Sequence, residues 1–268
     1  MDKQPENDVL EAFAATGTPL LLSGGQGTTW VVGDIVLKPV GNIAETLYVA
    51  DVMESIVENG FRVARPIKTV EGKWLYKNWC AYNRIDGEHV KARWDEKIEL
   101  CKAFHKALSA YLKPEYLDKE TNRYAVADRI AWQELPIKVN EKIMPVLEKL
   151  ENLLRPIQVT NQLIHGDFTG NILFHEGQLP AVIDFVAYWR PANYAIAIMI
   201  ADAIVWEGAD ESIFDLVSDI PEIVQLIIRA EIGRIMQLDG LLKEEGIDKL
   251  GEAEDHEKLI GILSSRNR

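Results

Sequence analysis

Apolar and polar positions change period along the chain. From Leu20 to Ile85 the apolar residues come in short runs divided by glycine and polar turns. These runs are Pro19–Leu22, Trp30–Val32 and Ile35–Lys38, then Phe61–Val70, Lys73–Tyr76 and Trp79–Ile85. Runs of this length, rich in branched and aromatic residues, predict about five strands of a small antiparallel sheet. Two helices belong with them: Glu11–Thr16, ended by Gly17, and Ile43–Asn59, ended by Gly60 at a C-cap position. In the second, Val49, Val52 and Ile56 share one face. After Asn83–Gly87 the period becomes helical. Trp94–Tyr111 repeats Ile98, Cys101, Phe104 and Leu108, and Tyr124–Glu134 and Ile137–Leu154 predict two more helices, stopped by Pro136 and Pro156. Tyr194–Trp206 is apolar on nearly all sides and predicts a buried helix, within which Asp202 needs a partner. Ile223–Leu238, with Arg229, Glu231 and Arg234 among apolar residues, and the charged segment 243–268 complete the helical series.

One stretch interrupts it. Gln162–Asp184 returns to strand-like runs, Leu163-Ile164, Ile172–Phe174 and Leu179–Ile183, with a turn at His175–Gln178. Asp167, Asn171 and Asp184 fall at the ends of these runs. Two carboxylates and an amide are what magnesium-dependent phosphoryl transfer needs, because magnesium takes few protein carboxylates and completes its shell with phosphate oxygens. Upstream, Ser23–Thr29 contains Gly24, Gly25 and Gly27, which let a backbone approach phosphates closely. The spacing is not that of a P-loop.

The segment HGDFTGN followed by VIDF resembles the catalytic and metal-binding loops of the aminoglycoside phosphotransferase and choline-kinase-like families, relatives of the protein kinases. The resemblance implies an α+β, two-lobed protein-kinase-like fold: a small N-terminal antiparallel sheet plus helix, residues 1–85, and a larger, mainly helical C-terminal lobe, residues 86–268. It implies that Asp167 accepts the acceptor hydroxyl's proton and that Asn171 and Asp184 hold Mg2+. Lys38, at the end of the third strand, would hold the ATP phosphates, with Glu45 as its partner, since Glu54 lies on the opposite helical face. Gly24, Gly25 and Gly27 would cover the phosphates, and Leu173 and Ile183 would floor the adenine near a hinge at Asn83–Gly87. His165 would fix the loop, and His105 and the Asp128-Arg129 pair read as structural, the latter as a charged helix face. Two departures mark an outlying subfamily. Only Phe168, Thr169 and Gly170 separate Asp167 from Asn171 where relatives usually have four residues, and the Asp-Leu-Ala anchor that many relatives carry is replaced around Asn193-Tyr194-Ala195.

Composition narrows the partners. Of a net charge of -13, residues 1–85 contribute eight basic against ten acidic residues, leaving 21 against 32 for the rest. An acidic second lobe disfavours nucleic acid, which requires a basic face. It would draw a cationic acceptor by long-range attraction; a solubilising surface without bearing on the substrate is the other reading. No apolar run approaches the ~20 residues that cross a membrane. A polar, acidic N-terminus and only two cysteines, Cys80 and Cys101, suit the cytoplasm. The expectation is an ATP- and magnesium-dependent phosphotransferase acting on a small-molecule hydroxyl. The departures leave open a nucleotide-binding regulatory pseudokinase, or nucleotidyl transfer on the same scaffold.

Overall fold

The computed structural model describes residues 4–22 and 27–267. Its contacts divide the chain into two compact units, residues 1–90 with 171–186, and residues 91–170 with 187–268. In chain order the elements are α1 (Asn7–Ala12), β1 (Leu20–Leu21), β2 (Trp30–Val32), β3 (Ile35–Pro39), α2 (Ile43–Ser55), β4 (Arg62–Val63), β5 (Pro66–Ile67), β6 (Leu75–Tyr76) and β7 (Trp79–Asn83). Then follow α3 (Trp94–Leu108), α4 (Arg123–Ala131), α5 (Met144–Glu151), β8 (Gln162–His165), β9 (Ile172–Leu173), β10 (Ala181–Val182) and β11 (Ala187–Arg190). The chain ends with α6 (Ala192–Trp206), α7 (Ile223–Glu245) and α8 (Glu257–Arg266).

The first unit is built on an antiparallel sheet of six strands, ordered β1-β2-β3-β7-β5 with β6 also on β7, rather than five. These six match the six apolar runs of the sequence, and the break within Phe61–Val70 adds a further strand, β4, outside this sheet. Pro66 lacks the N–H a central strand must donate, so the segment breaks, and β5 takes the edge of the sheet, where proline is tolerated. β4 leaves the sheet and pairs in parallel with β10, which in turn forms a hairpin with β9. Side chains alternate across β3. Leu37 is buried in a cluster with Val9, Phe13, Val32, Trp79 and Ala81, so Val36 and Lys38 belong to the other face. The first helix lies earlier than predicted, at Asn7–Ala12 instead of Glu11–Thr16. Its burial explains the shift: Val9, Ala12 and Phe13 join that cluster, and the chain leaves the helix through Ala14 at φ +52°.

Helix α2 starts where predicted and stops four residues early. Asn42 caps its start, accepting from the backbone N–H groups of Ala44 and Glu45 at 2.9 and 3.3 Å. Val49, Ala50, Val52, Met53 and Ile56 are buried, each larger side chain contributing roughly 1.5–3 kcal/mol. Gly60 is not its cap. The Arg65 guanidinium takes that role, donating to the carbonyls of Met53, Glu54 and Ile56 at 2.7, 2.9 and 3.0 Å.

The second unit is mainly helical. The stripe Ile98, Cys101, Phe104 and Leu108 is buried, as read from the sequence. The largest departures from the sequence reading are at α5, α7 and β11. α5 begins only at Met144, with proline in its first turn, whereas the prediction began at Ile137. α7 runs on to Glu245, where Gly246 at φ +69° closes it. β11 has no counterpart in the sequence reading; it pairs antiparallel with β8 from Ala187–His165 to Arg190–Gln162. Among the described residues no helix is long and apolar enough to cross a membrane.

Candidate active site

In the first unit the lysine of β3 meets the aspartate that follows β10. Lys38 Nζ lies 2.7 Å from Asp184 Oδ1. Asp184 adopts a left-handed backbone, φ +49°, a conformation that aspartate tolerates better than most residues. The backbone N–H of Ile183 donates to the carbonyl of Asn171 at 2.9 Å. That bond sets Asn171 opposite the residue before Asp184, at the open end of the β9–β10 hairpin. Glu45 sits in the first turn of α2, half-buried. It is near enough to Tyr82 to help raise that phenol, whose shift upward comes first from burial and then from Cys80 and Asp184. Glu45 and Asp184 therefore share one electrostatic neighbourhood, while the ion pair seen for Lys38 is with Asp184. Cys80 is buried beside them, its thiol pushed up to about 11 by burial, which leaves it unreactive.

Leu173 is buried in β9. The predicted hinge passes close to it. Gly87 has φ +152°, and a Cβ there would stand 3.0 Å from both Leu173 Cβ and the Phe174 carbonyl oxygen. Glu88 and Phe174 then exchange two backbone hydrogen bonds of 2.9 Å. Of the glycine loop, Gly24 and Gly25 lie outside the described residues; Gly27 is at φ +69° with open space around it.

In the second unit Asp167 follows β8 on a loop held by two histidines. His105 of α3 donates from Nδ1 to the Cys101 carbonyl at 2.7 Å, which leaves Nε2 to accept the His165 backbone N–H at 3.0 Å. His165 Nδ1 accepts the Asp167 backbone N–H at 3.2 Å. Burial pushes His105 down to about 3, so it stays neutral and keeps this tautomer. Phe168 packs among the rings of Phe104, His105 and His165. The short spacing to Asn171 is taken up by a single 3-10 turn, Thr169–Asn171.

The carboxylate of Asp167 meets Arg234 of α7, Nη2 to Oδ1 at 3.4 Å. Asp202, the charge inside the apolar helix, is bound by the same guanidinium at 2.8 and 2.6 Å. Beside them Gly166, Tyr188, Tyr194, Asp128, Arg234 and Gln237 line a cavity of about 10 Å3, room for one water. Asp128 is not on a solvated face. It forms a buried fork with Arg190, Oδ2 to Nη2 at 2.7 Å, and Glu134 completes the arginine's partners at 2.6 Å. Burial raises Asp128, against the pull of Arg190. Arg234 and Arg190 were not picked out as site residues from the sequence. The available signal was indirect: a carboxylate inside an apolar helix demands a cation, and α7 offers arginines among apolar neighbours.

A sheet whose lysine pairs with an aspartate on a following hairpin, and a helical unit whose loop presents a second aspartate, describe a kinase-like phosphotransferase. The sequence matches the model of the phosphotransferase enzyme family over residues 21–209, and the chain belongs to that family. No protein with a curated description matches it. Among solved structures it is similar to spectinomycin phosphotransferase APH(9)-Ia in complex with ADP and spectinomycin, with TM-score 0.61 and 13% identity over 97% of each chain. It is also similar to choline kinase LicA from Streptococcus pneumoniae, with TM-score 0.64 and 10% identity over 97% of each chain. A thermostable mutant of aminoglycoside phosphotransferase APH(4)-Ia, in a ternary complex with ADP and hygromycin B, gives TM-score 0.58 and 16% identity over 98% of this chain and 97% of that one. These likenesses establish the α+β, protein-kinase-like fold.

Proposed function

We infer that this chain is an ATP- and magnesium-dependent kinase that moves the γ-phosphoryl group to a hydroxyl of a small molecule. The observation that carries the reading is the Lys38–Asp184 ion pair at 2.7 Å in a chain of the phosphotransferase family. In this reading the lysine holds phosphate oxygens and the aspartate the counter-cation. One carboxylate and one amide, Asp184 and Asn171, suit magnesium, which prefers few protein oxygens and keeps room for phosphates. When bound, the metal offsets the negative charge of the β- and γ-phosphates. In the transfer, the acceptor oxygen bonds to the γ-phosphorus and the bond from phosphorus to the ADP oxygen breaks. The hydroxyl proton passes toward Asp167, four residues ahead of Asn171.

Glu45 supports the Lys38 side of this arrangement. Gly24, Gly25 and Gly27 cover the phosphates, and Leu173 and Ile183 lie under the base. In this reading the nucleotide belongs to residues 1–85 with the returning hairpin, and the acceptor to the remainder of 86–268. The acidity of that second part favours a cationic acceptor over a nucleic acid, and the two free, buried cysteines suit a cytoplasmic protein.

The test is ADP release from Mg-ATP against a panel of hydroxyl compounds. Asp167→Asn should lower kcat by about 10²- to 10⁴-fold while ATP affinity is retained. ATP binding without ADP formation by the unaltered chain would instead assign it to regulation as a pseudokinase, and release of pyrophosphate would assign nucleotidyl transfer.

A further inference from the structure

If Asp167 receives the acceptor's proton, its carboxylate must be held in place, and the backbone bond to His165 fixes only the main chain. The side chain is met by Arg234, from the middle of α7, at 3.4 Å. That distance is an ion pair rather than a tight hydrogen bond, and contacts of catalytic groups commonly shorten when substrate binds. Arg234 does not wander. Asp202 of α6 grips it through two parallel bonds, Nε to Oδ1 at 2.8 Å and Nη2 to Oδ2 at 2.6 Å, which fix the guanidinium plane. The exposures form a gradient: the side chains of Asp202 and Arg234 are 12% and 18% exposed, that of Asp167 52%. Burial works against the charge on Arg234, but Asp202 together with Asp167 outweighs it and holds the arginine protonated.

Two features separate this from a pair that merely cements α6 to α7. A buried ion pair of this kind gives little net stability, because desolvation cancels most of its attraction. And Nη2 is shared, so one cation serves two carboxylates, the second of them on the loop after β8. The chain also lacks the Asp-Leu-Ala anchor near residue 194, with Asn193-Tyr194-Ala195 in its place. Asp202 and Arg234 reach the loop by another route.

We propose that Arg234, oriented by Asp202, is a positioning residue for phosphoryl transfer: it aims the Asp167 carboxylate at the acceptor hydroxyl and offsets its charge as the anionic γ-phosphoryl group approaches. The proposal rests on the assignment of Asp167 made above. Removing the guanidinium would take from Asp202 and Asp167 the cation they share, and a misplaced base costs rate rather than nucleotide binding.

The experiment uses the full chain and Mg-ATP, reading ADP release with water as acceptor, together with thermal melts. Arg234→Met should lower kcat about 10- to 100-fold with the KM for ATP unchanged. Arg234→Lys, which keeps the charge without the fork, should recover part of the loss. A folded Arg234→Met with unaltered kcat, or an equal rise in the KM for ATP with no rescue by lysine, overturns the proposal. Should Arg234→Met fail to fold, Asp202→Asn decides: reduced kcat at unchanged ATP KM supports it, and unaltered kcat overturns it. Loss of turnover in Asp167→Asn beside an unimpaired Arg234→Met removes the role of Arg234 and leaves the kinase reading standing. Absence of ADP from the unaltered chain with water and with every member of the hydroxyl panel removes both.

Discussion

Single atoms decide much of the loop after β8. A Cβ on Gly166 would lie within 2.7 Å of three ring carbons of Tyr188, whose backbone is pinned because β11 pairs with β8. Gly166→Ala should therefore destabilise the fold by about 1–3 kcal/mol and depress turnover, measured by thermal melt and ADP release; an unchanged melt would show that Tyr188 gives way freely. His105 makes the stability depend on pH. Burial lowers its folded pKa from 6.5 to about 3, so between those values the unfolded chain binds the extra proton. Stability contributed by the neutral ring is full above about pH 6.5 and falls as pH drops toward 3, by up to about 1.4 kcal/mol per pH unit. The buried Asp128 and Asp202, raised by burial, act in the opposite sense. His105→Gln isolates the histidine: its melting temperature should fall less steeply from pH 7 to 5 than that of the unaltered chain. At this scale Asp167, Asn171 and Asp184 stand out in the sequence as candidates because each falls at the end of an apolar run. The sequence does not show Arg234, since nothing local marks which arginine of α7 answers Asp202.

The starts of elements were more legible than their ends. Asn42 ahead of an apolar-periodic run is a local signal, and α2 begins there. Its end depends on Arg65, ten positions beyond the last helical residue and brought back by β5, so Gly60 misled. The same reasoning explains β11: Ala187–Arg190 is a short run that becomes a strand because β8, more than twenty positions earlier, offers it an edge. α5 starts late for the converse reason, its forerunner Asn140 being drawn to Asp239 of α7, 2.9 Å from its backbone N–H. Two substitutions test the ends of α2 separately. Asn42→Ala should cost about 1 kcal/mol in a denaturant melt. Arg65→Ala should cost at least as much, because it strips three carbonyls of a charged donor; a smaller loss than that of Asn42→Ala would mean water replaces the guanidinium without difficulty.

At the scale of the molecule, the order of the first three strands, the lysine at the end of the third, the helix and the late aspartate was readable, because it follows the chain and needs no three-dimensional information. Nucleotide binding gives a check at this scale. Mg-ATP at 100 times its Kd should add about 2.7 kcal/mol of stability, and Asp184→Asn should remove the part of that gain that depends on magnesium, as seen by melting with ATP in the presence and absence of the metal. What could not be read was that the first unit is discontinuous. Arg62 of β4 donates its backbone N–H to Pro180 and its Nε to Leu179, 117 positions later, and Ala64 bonds to Val182. Contacts of such separation slow folding. They also order events during synthesis: a nascent chain that ends before residue 171 has Lys38 without Asp184 and β4 as a bare edge. Translation would have to pass residue 186 before the lysine strand gains its acidic partner, so any affinity for Mg-ATP that depends on this pair should be acquired late in synthesis, when about half of the helical unit, residues 91–170, has been made and α6, α7 and α8 are still to come.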